Sequence, residues 1–117
     1  MYFTYVLRLS DQSLYTGITT DLARRMQEHA DGGKKGAKYT RHRTFLRLEA
    51  AWKSQTRADA SRLEWAIKHL KKETKERLCA SPLLVHALIS TADPALFCAL
   101  QPEEIARVRK PAPDRKD

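Results

Sequence analysis

Between Leu14 and His29 the chain brings together residue types suited to work on a phosphate. The run is Leu-Tyr-Thr-Gly-Ile-Thr-Thr-Asp-Leu-Ala-Arg-Arg-Met-Gln-Glu-His. Arg25 and His29 are four residues apart and therefore share one face of a helix. The planar fork of Arg25 suits a bidentate phosphate contact, and His29 could hydrogen-bond a nucleophilic water or a phosphate. Tyr15, with Tyr5 earlier in the chain, carries a phenol that can take or relay a proton near a metal ion. Gly17 lets a phosphate or another backbone come close. Each residue also has a plainer use. A cross-strand tyrosine pair stabilises a sheet by about 0.2–1 kcal/mol, Gly17 can simply end a strand, a surface arginine adds solubility, and a histidine at a helix end suits the dipole there.

A fifth residue, Glu64, lies much later. It sits at the border of an apolar stripe and four residues before Lys68. Such an i,i+4 pair contributes about 0.3–0.5 kcal/mol. A carboxylate on a helix packed across a sheet could equally hold one hard cation, because Mg2+ keeps most of its waters and takes one or two protein carboxylates plus substrate phosphate.

The charge distribution points to a polyanionic partner. Residues 1–78 hold 17 Lys/Arg against 9 Asp/Glu, whereas residues 79–117 hold 5 against 5, so the whole net charge of +8 lies in the first segment. A localised positive field of this kind favours nucleic acid. Residues 32–48 contain six Lys/Arg and no acid. In that loop Lys34, Lys35, Lys38, Arg41 and Arg43 are interleaved with glycine, and Tyr39 is placed to stack on a base. The plain alternative is a solvated loop.

Size and composition limit the remaining classes. With 117 residues and 42% hydrophobic content the chain suits one domain with a real core. No apolar run is long enough to span a membrane. Arg8 and Asp11 interrupt the first twenty residues, so these do not read as a signal peptide. Cys79 and Cys98 lack zinc-like spacing and read as reduced thiols in a cytoplasmic protein.

The elements that must position these residues follow from periodicity. Residues 2–9 predict a strand with Phe3, Tyr5, Leu7 and Leu9 on one face, and Tyr2, Thr4, Val6 and Arg8 on the other. Ser10 to Ser13 predict a turn, and residues 14–18 a second strand that closes a hairpin and sets Tyr5 near Tyr15. Thr19-Thr20-Asp21 supplies caps for a helix whose buried stripe is Leu22, Met26 and Ala30. Arg24 is expected to pair with Glu28 on its surface. Residues 44–52 predict a third strand. Thr56 caps a helix from about Arg57 to Lys72, with Leu63, Ala66, Ile67 and Leu70 as its stripe. A short helix to about Cys79 follows, then an apolar helix within Leu83 to Ile89. Helix starts are expected at Asp93-Pro94 and Gln101-Pro102, and a flexible tail from about residue 111. The expected fold is α/β (α+β): a three-stranded antiparallel sheet flanked by helices, with residues 1–80 as the main domain and 81–117 as a helical extension packed on it.

Thr4-Tyr5-Val6, Tyr15-Thr16-Gly17, Arg25 and Glu64, in that order, resemble the motif of the GIY-YIG nuclease superfamily, most of all its short single-domain bacterial, UPF0213-like members. The resemblance covers about Tyr2 to Leu78. It implies a metal-dependent endonuclease in which Glu64 holds Mg2+ (or Mn2+) and Arg25 neutralises charge on the phosphoryl oxygens. Tyr5 or Tyr15 would accept a proton from water, directly or through His29, leaving a 5′-phosphate and a 3′-hydroxyl. Gly17 and the basic loop would contact the nucleic acid. Without a fused recognition domain, DNA cleavage of low sequence specificity, structure-selective and used in repair or processing, is the expected activity. DNA is favoured over RNA as the partner. A nucleic-acid-binding module without turnover is the alternative, and an RNA- or ribosome-associated protein a third reading.

Overall fold

A computed structural model describes residues 1–31 and 45–108. The basic loop residues Lys34, Lys35, Lys38, Tyr39, Arg41 and Arg43, and the tail from residue 111, lie outside the described residues.

Strand β1 (Tyr2–Leu9) pairs antiparallel with β2 (Leu14–Thr19) and with β3 (Phe45–Ser54), so the three predicted strands form one sheet. A fourth strand, β4 (Cys98–Ala99), adds to the free side of β3 and gives the order β2-β1-β3-β4. Two residues carry no readable period, so this strand exists only through its pairing with Trp52 and Lys53. The helices are α1 (Leu22–Asp31), α2 (Arg57–Lys68), α3 (Lys72–Ala80), α4 (Val85–Leu88) and α5 (Pro102–Val108), with a 3₁₀ turn at Pro82–Leu84.

The alternation of β1 creates two cores, one on each face of the sheet. Tyr5, Leu7 and Leu9 pack with Leu22 and Met26 of α1, Phe45, Leu48 and Ile105 of α5. Val6 faces the other way, with Trp52, Leu63 and Ile67 of α2, Leu78 of α3 and Val85 of α4. Residues beyond 81 thus contribute to both cores. Thr4 Oγ1 donates to the Ala60 carbonyl at 3.0 Å and ties β1 to α2.

Caps agree with the sequence at both main helices. The Arg24 amide donates to Asp21 Oδ1 at 3.1 Å, and the Asp59 amide donates to Thr56 Oγ1 at 3.1 Å. The second helix ends at Lys68 rather than Lys72. Three-residue bonds from His69 to Ala66 and from Leu70 to Ile67 close it, and the turn lets α3 return so that Leu78 enters the same core as Leu63 and Ile67. At Asp93-Pro94 no helix forms. The Ala95 amide bonds Asp93 Oδ1 as a cap would, but the chain makes a single turn because Phe97 and Ala99 are drawn into the core beside β3.

Sequence patterning had left unread the role of Arg8. Its buried guanidinium donates to Glu49 of β3, to Glu76 of α3 and to the Gln12 carbonyl. It therefore fixes the β1–β2 turn, where Gln12 adopts a φ of 70°, against two other elements.

Candidate active site

The β1–β2 register places Gly17 opposite Tyr5, and Tyr15 opposite Leu7. The two tyrosines are therefore diagonal neighbours on one face, with ring centroids 6.3 Å apart. A Cβ at Gly17 would lie 2.6 Å from the Tyr5 hydroxyl oxygen and 2.8 Å from its Cζ. Glycine is required there because the Tyr5 phenol lies over the strand backbone.

Helix α1 supplies the other two groups. Met26 and Leu22 anchor it in the core, and this turns the next residues along the same side, Arg25 and His29, toward Tyr5. The Tyr5 hydroxyl is 3.0 Å from His29 Nε2, and Arg25 Nε donates to the Tyr5 oxygen at 3.4 Å. The His29 ring also packs edge-on to Tyr15, with centroids 5.7 Å apart, and contacts Phe45. Glu28 accepts from Arg25 Nη1 at 2.9 Å. This corrects the expected Arg24–Glu28 pair. Arg25 is the half-buried arginine, three residues before Glu28, and its fork is already oriented by Tyr5.

Burial sets the protonation states. Tyr5 is 1% exposed, and desolvation pushes its pKa up to about 12, with Tyr15 and Glu64 adding to the rise and the Arg25 hydrogen bond opposing it. Burial, together with the Arg25 charge, lowers His29 to about 4. Burial opposes the Arg25 charge, but the bonds to Glu28 and Tyr5 outweigh it and raise its pKa. At neutral pH the cluster is therefore a neutral phenol, a neutral imidazole and a fixed cation.

Glu64 arrives from the opposite layer. Helix α2 packs across β1 and β2, and the Glu64 charge is felt at the Tyr5 phenol. Glu64 Oε2 lies 3.5 Å from Lys68 Nζ, so the ion pair read from the sequence is present. Beside it an open cleft of about 310 Å³ is lined by Leu14, Tyr15, Thr16, Lys68 and Lys75. Lys75 was not singled out in the sequence. A larger cleft, about 370 Å³, lies between α3, β4 and α5, away from these groups.

Tyr5, Tyr15, Gly17, Arg25 and His29 are thus brought together in one cluster, with Glu64 near enough to act on it electrostatically. Together these groups form one polar site on the β1–β2 hairpin of a small α+β domain. Residues 1–77 match the GIY-YIG catalytic domain, and the chain belongs to the GIY-YIG family. It is 47% identical over 77 residues to UPF0213 protein BH0048 of Halalkalibacterium halodurans, covering 66% of this chain and 80% of that one. It is 43% identical over 90 residues to UPF0213 protein YhbQ of Salmonella paratyphi B, covering 77% and 88% respectively. The solution NMR structure of UPF0213 protein BH0048 from Bacillus halodurans aligns at 40% identity with a TM-score of 0.44, over 79% of this chain and 100% of that one. Among the described residues no helix is long and apolar enough to cross a membrane.

Proposed function

We propose that the protein is a metal-dependent endonuclease that hydrolyses DNA phosphodiesters with low sequence specificity. It would select substrates by their structure and act in repair or processing in the cytoplasm. The observation that carries this reading is the Tyr5–His29–Arg25 hydrogen-bonded cluster on one face of the β1–β2 hairpin.

The donor set fits a hard cation such as Mg2+ or Mn2+. The Glu64 side chain is 25% exposed and already holds an ammonium group at 3.5 Å. Among the described residues no three His, Cys, Asp or Glu converge, so the cation would keep most of its coordination for water and phosphate, as Mg2+ does. Glu64 is the residue that would hold it, and a bound cation supplies Lewis-acid stabilisation of the phosphate and the leaving oxygen.

The chain's own residues account for the rest. Tyr15 is half-exposed whereas Tyr5 is buried, so Tyr15 is the phenol that meets an attacking water. His29, neutral and edge-on to Tyr15, offers an acceptor toward which the proton is passed, and Tyr5 holds its Nε2 in place. Arg25 is half-buried and permanently charged, and it neutralises charge on the phosphoryl oxygens as the transition state forms. The products are a 5′-phosphate and a 3′-hydroxyl. Lys34, Lys35, Lys38, Tyr39, Arg41 and Arg43, with the cleft lysines, would track the neighbouring backbone, whereas Gly17, expected to contact the nucleic acid, is buried beneath the Tyr5 phenol and makes room for that ring instead.

A second reading, a nucleic-acid-binding module without turnover, is favoured by the Glu64–Lys68 pair, which leaves the carboxylate engaged. One experiment separates the two. Branched, nicked, single-stranded and duplex DNA, and matching RNA, are incubated with the protein with and without Mg2+ or Mn2+, alongside Glu64→Gln. The nuclease reading expects metal-dependent cleavage by the wild type, loss of cleavage in Glu64→Gln, and nearly unchanged binding. Equal cleavage by Glu64→Gln removes the metal assignment, and no cleavage of any substrate leaves the binding module.

A further inference from the structure

Helix α2 carries a second feature on its solvent side that the cluster does not use. Trp65 follows Glu64 directly and is 64% exposed, whereas the other tryptophan, Trp52, is fully buried with its Nε1 donating to the Pro82 carbonyl at 3.0 Å. An indole left in water forgoes one of the largest burial gains open to a side chain. The exposed ring is also held in a set orientation. The His69 imidazole stacks on it with centroids 3.9 Å apart and planes 25° apart. His69 Nδ1–H donates to the Trp65 carbonyl at 2.7 Å, which pins the imidazole. Two basic side chains flank the indole, each in an ion pair along the helix: Arg62, 74% exposed, with Asp59 one turn earlier, and Lys68, half-exposed, with Glu64 one turn later.

We propose that Trp65 and His69 form a stacking platform for an unpaired nucleobase, one residue along α2 from Glu64. This inference rests on the nuclease reading for its neighbour, but the platform itself is a binding site. The occupant is a base in single-stranded or frayed nucleic acid. A flat π face binds any base by stacking, and flanking cations meet the phosphates on either side. A protein partner fits the surroundings less well. Among the described residues the other exposed large apolar side chains are Met1, Leu83 and Leu96, none of them on α2, so α2 offers no apolar patch around the indole. The consequence is structure selectivity: a strand with an unstacked base beside the scissile phosphate binds better than a continuous duplex, whatever its sequence.

The test uses the full chain and tryptophan fluorescence. Because Trp52 is buried, Trp65 dominates any quenching by ligand. The titrants are a single-stranded oligothymidylate and an oligonucleotide of equal length and charge whose bases are replaced by abasic sites, with Glu64→Gln as host so that nothing is cut. The platform expects strong quenching by oligothymidylate, little by the abasic strand, and none in Trp65→Ala. Trp65→Ala is expected to lose about 5- to 150-fold in affinity for the base-bearing strand, the range that one base–aromatic stack supplies, while its affinity for the abasic strand holds. Trp65→Phe keeps most of the preference. Unquenched saturation, or a Trp65→Ala protein that binds both strands like its parent, overturns the platform. So does a Trp65→Ala protein that changes only in self-association by sedimentation, which marks a protein interface. Quenching with the base preference, in a protein that cuts no substrate, supports the platform and removes the nuclease reading. Cleavage without quenching does the reverse, and a wild type that binds no strand removes both.

Discussion

Gly17→Ala is the sharpest perturbation available at the site, because it adds one methyl group and removes no polar group. The new Cβ would sit 2.6 Å from the Tyr5 hydroxyl oxygen, 2.8 Å from its Cζ and 3.1 Å from Tyr15 Cε2. Ordinary contact begins near 3.4 Å, so the phenol must withdraw by about 0.8 Å. It cannot do so at no cost, since Tyr5 is buried among Leu7, Leu22 and Met26. Arg25 Nε already stands 3.4 Å from the Tyr5 oxygen, and a shift of that size carries it beyond hydrogen-bonding distance, while the 3.0 Å contact to His29 lengthens as well. Overpacking of this kind costs about 1–3 kcal/mol. The loss of backbone freedom in the unfolded chain returns only about 0.4–1 kcal/mol, so the net sign is destabilising, and a melting temperature lower by roughly 4–10 °C is expected. Displacement of catalytic groups by about 1 Å can cost about 100-fold in rate, so cleavage should fall by two orders of magnitude while binding to duplex DNA, dominated by the basic segment, changes little. The assay is cleavage under single-turnover conditions, with melting and binding measured on the same preparation. A Gly17→Ala protein that melts and cleaves like the wild type would show that the Tyr5 position is not critical and would refute the reasoning.

The other predictions concern charge. Arg25→Ala should lose about 10²–10³ in cleavage rate and also some affinity, unlike Glu64→Gln; a variant that keeps its affinity would place Arg25 away from the phosphate. His29 is lowered from 6.5 to about 4 in the folded state, so the unfolded chain binds the extra proton first. Stability is therefore present above pH 6.5 and is lost as pH falls through about 4. The acid limb of kcat/KM should likewise lie near pH 4, and a limb near 6.5 would exclude a buried neutral His29 as the acceptor. Replacing Lys34, Lys35, Lys38, Arg41 and Arg43 with alanine should reduce the log–log salt dependence of binding by about 0.7–0.9 per lost phosphate contact. An unchanged slope would return that loop to a solvated surface.

Alternation and spacing alone determined much of this protein. Odd and even residues of β1 go to opposite faces because a strand has a period of two, and Thr56 and Asp21 cap their helices because unpaired amides need acceptors nearby. The same local rules put Arg25 and His29 on one side of α1. What they do not contain is the partner. That Tyr5 faces Gly17 rather than Tyr15 is a matter of register, and register depends on a turn fixed by Arg8 from two distant glutamates. The two-residue β4 and the single turn at Asp93 follow from the edge of β3 and from burial of Phe97, which no local pattern encodes. The states of Tyr5 and His29 likewise belong to tertiary structure. A phenol near 12 and an imidazole near 4 result from desolvation once α1 closes over the sheet, and removal of water is a property of the packed assembly, not of either residue's neighbours in the chain.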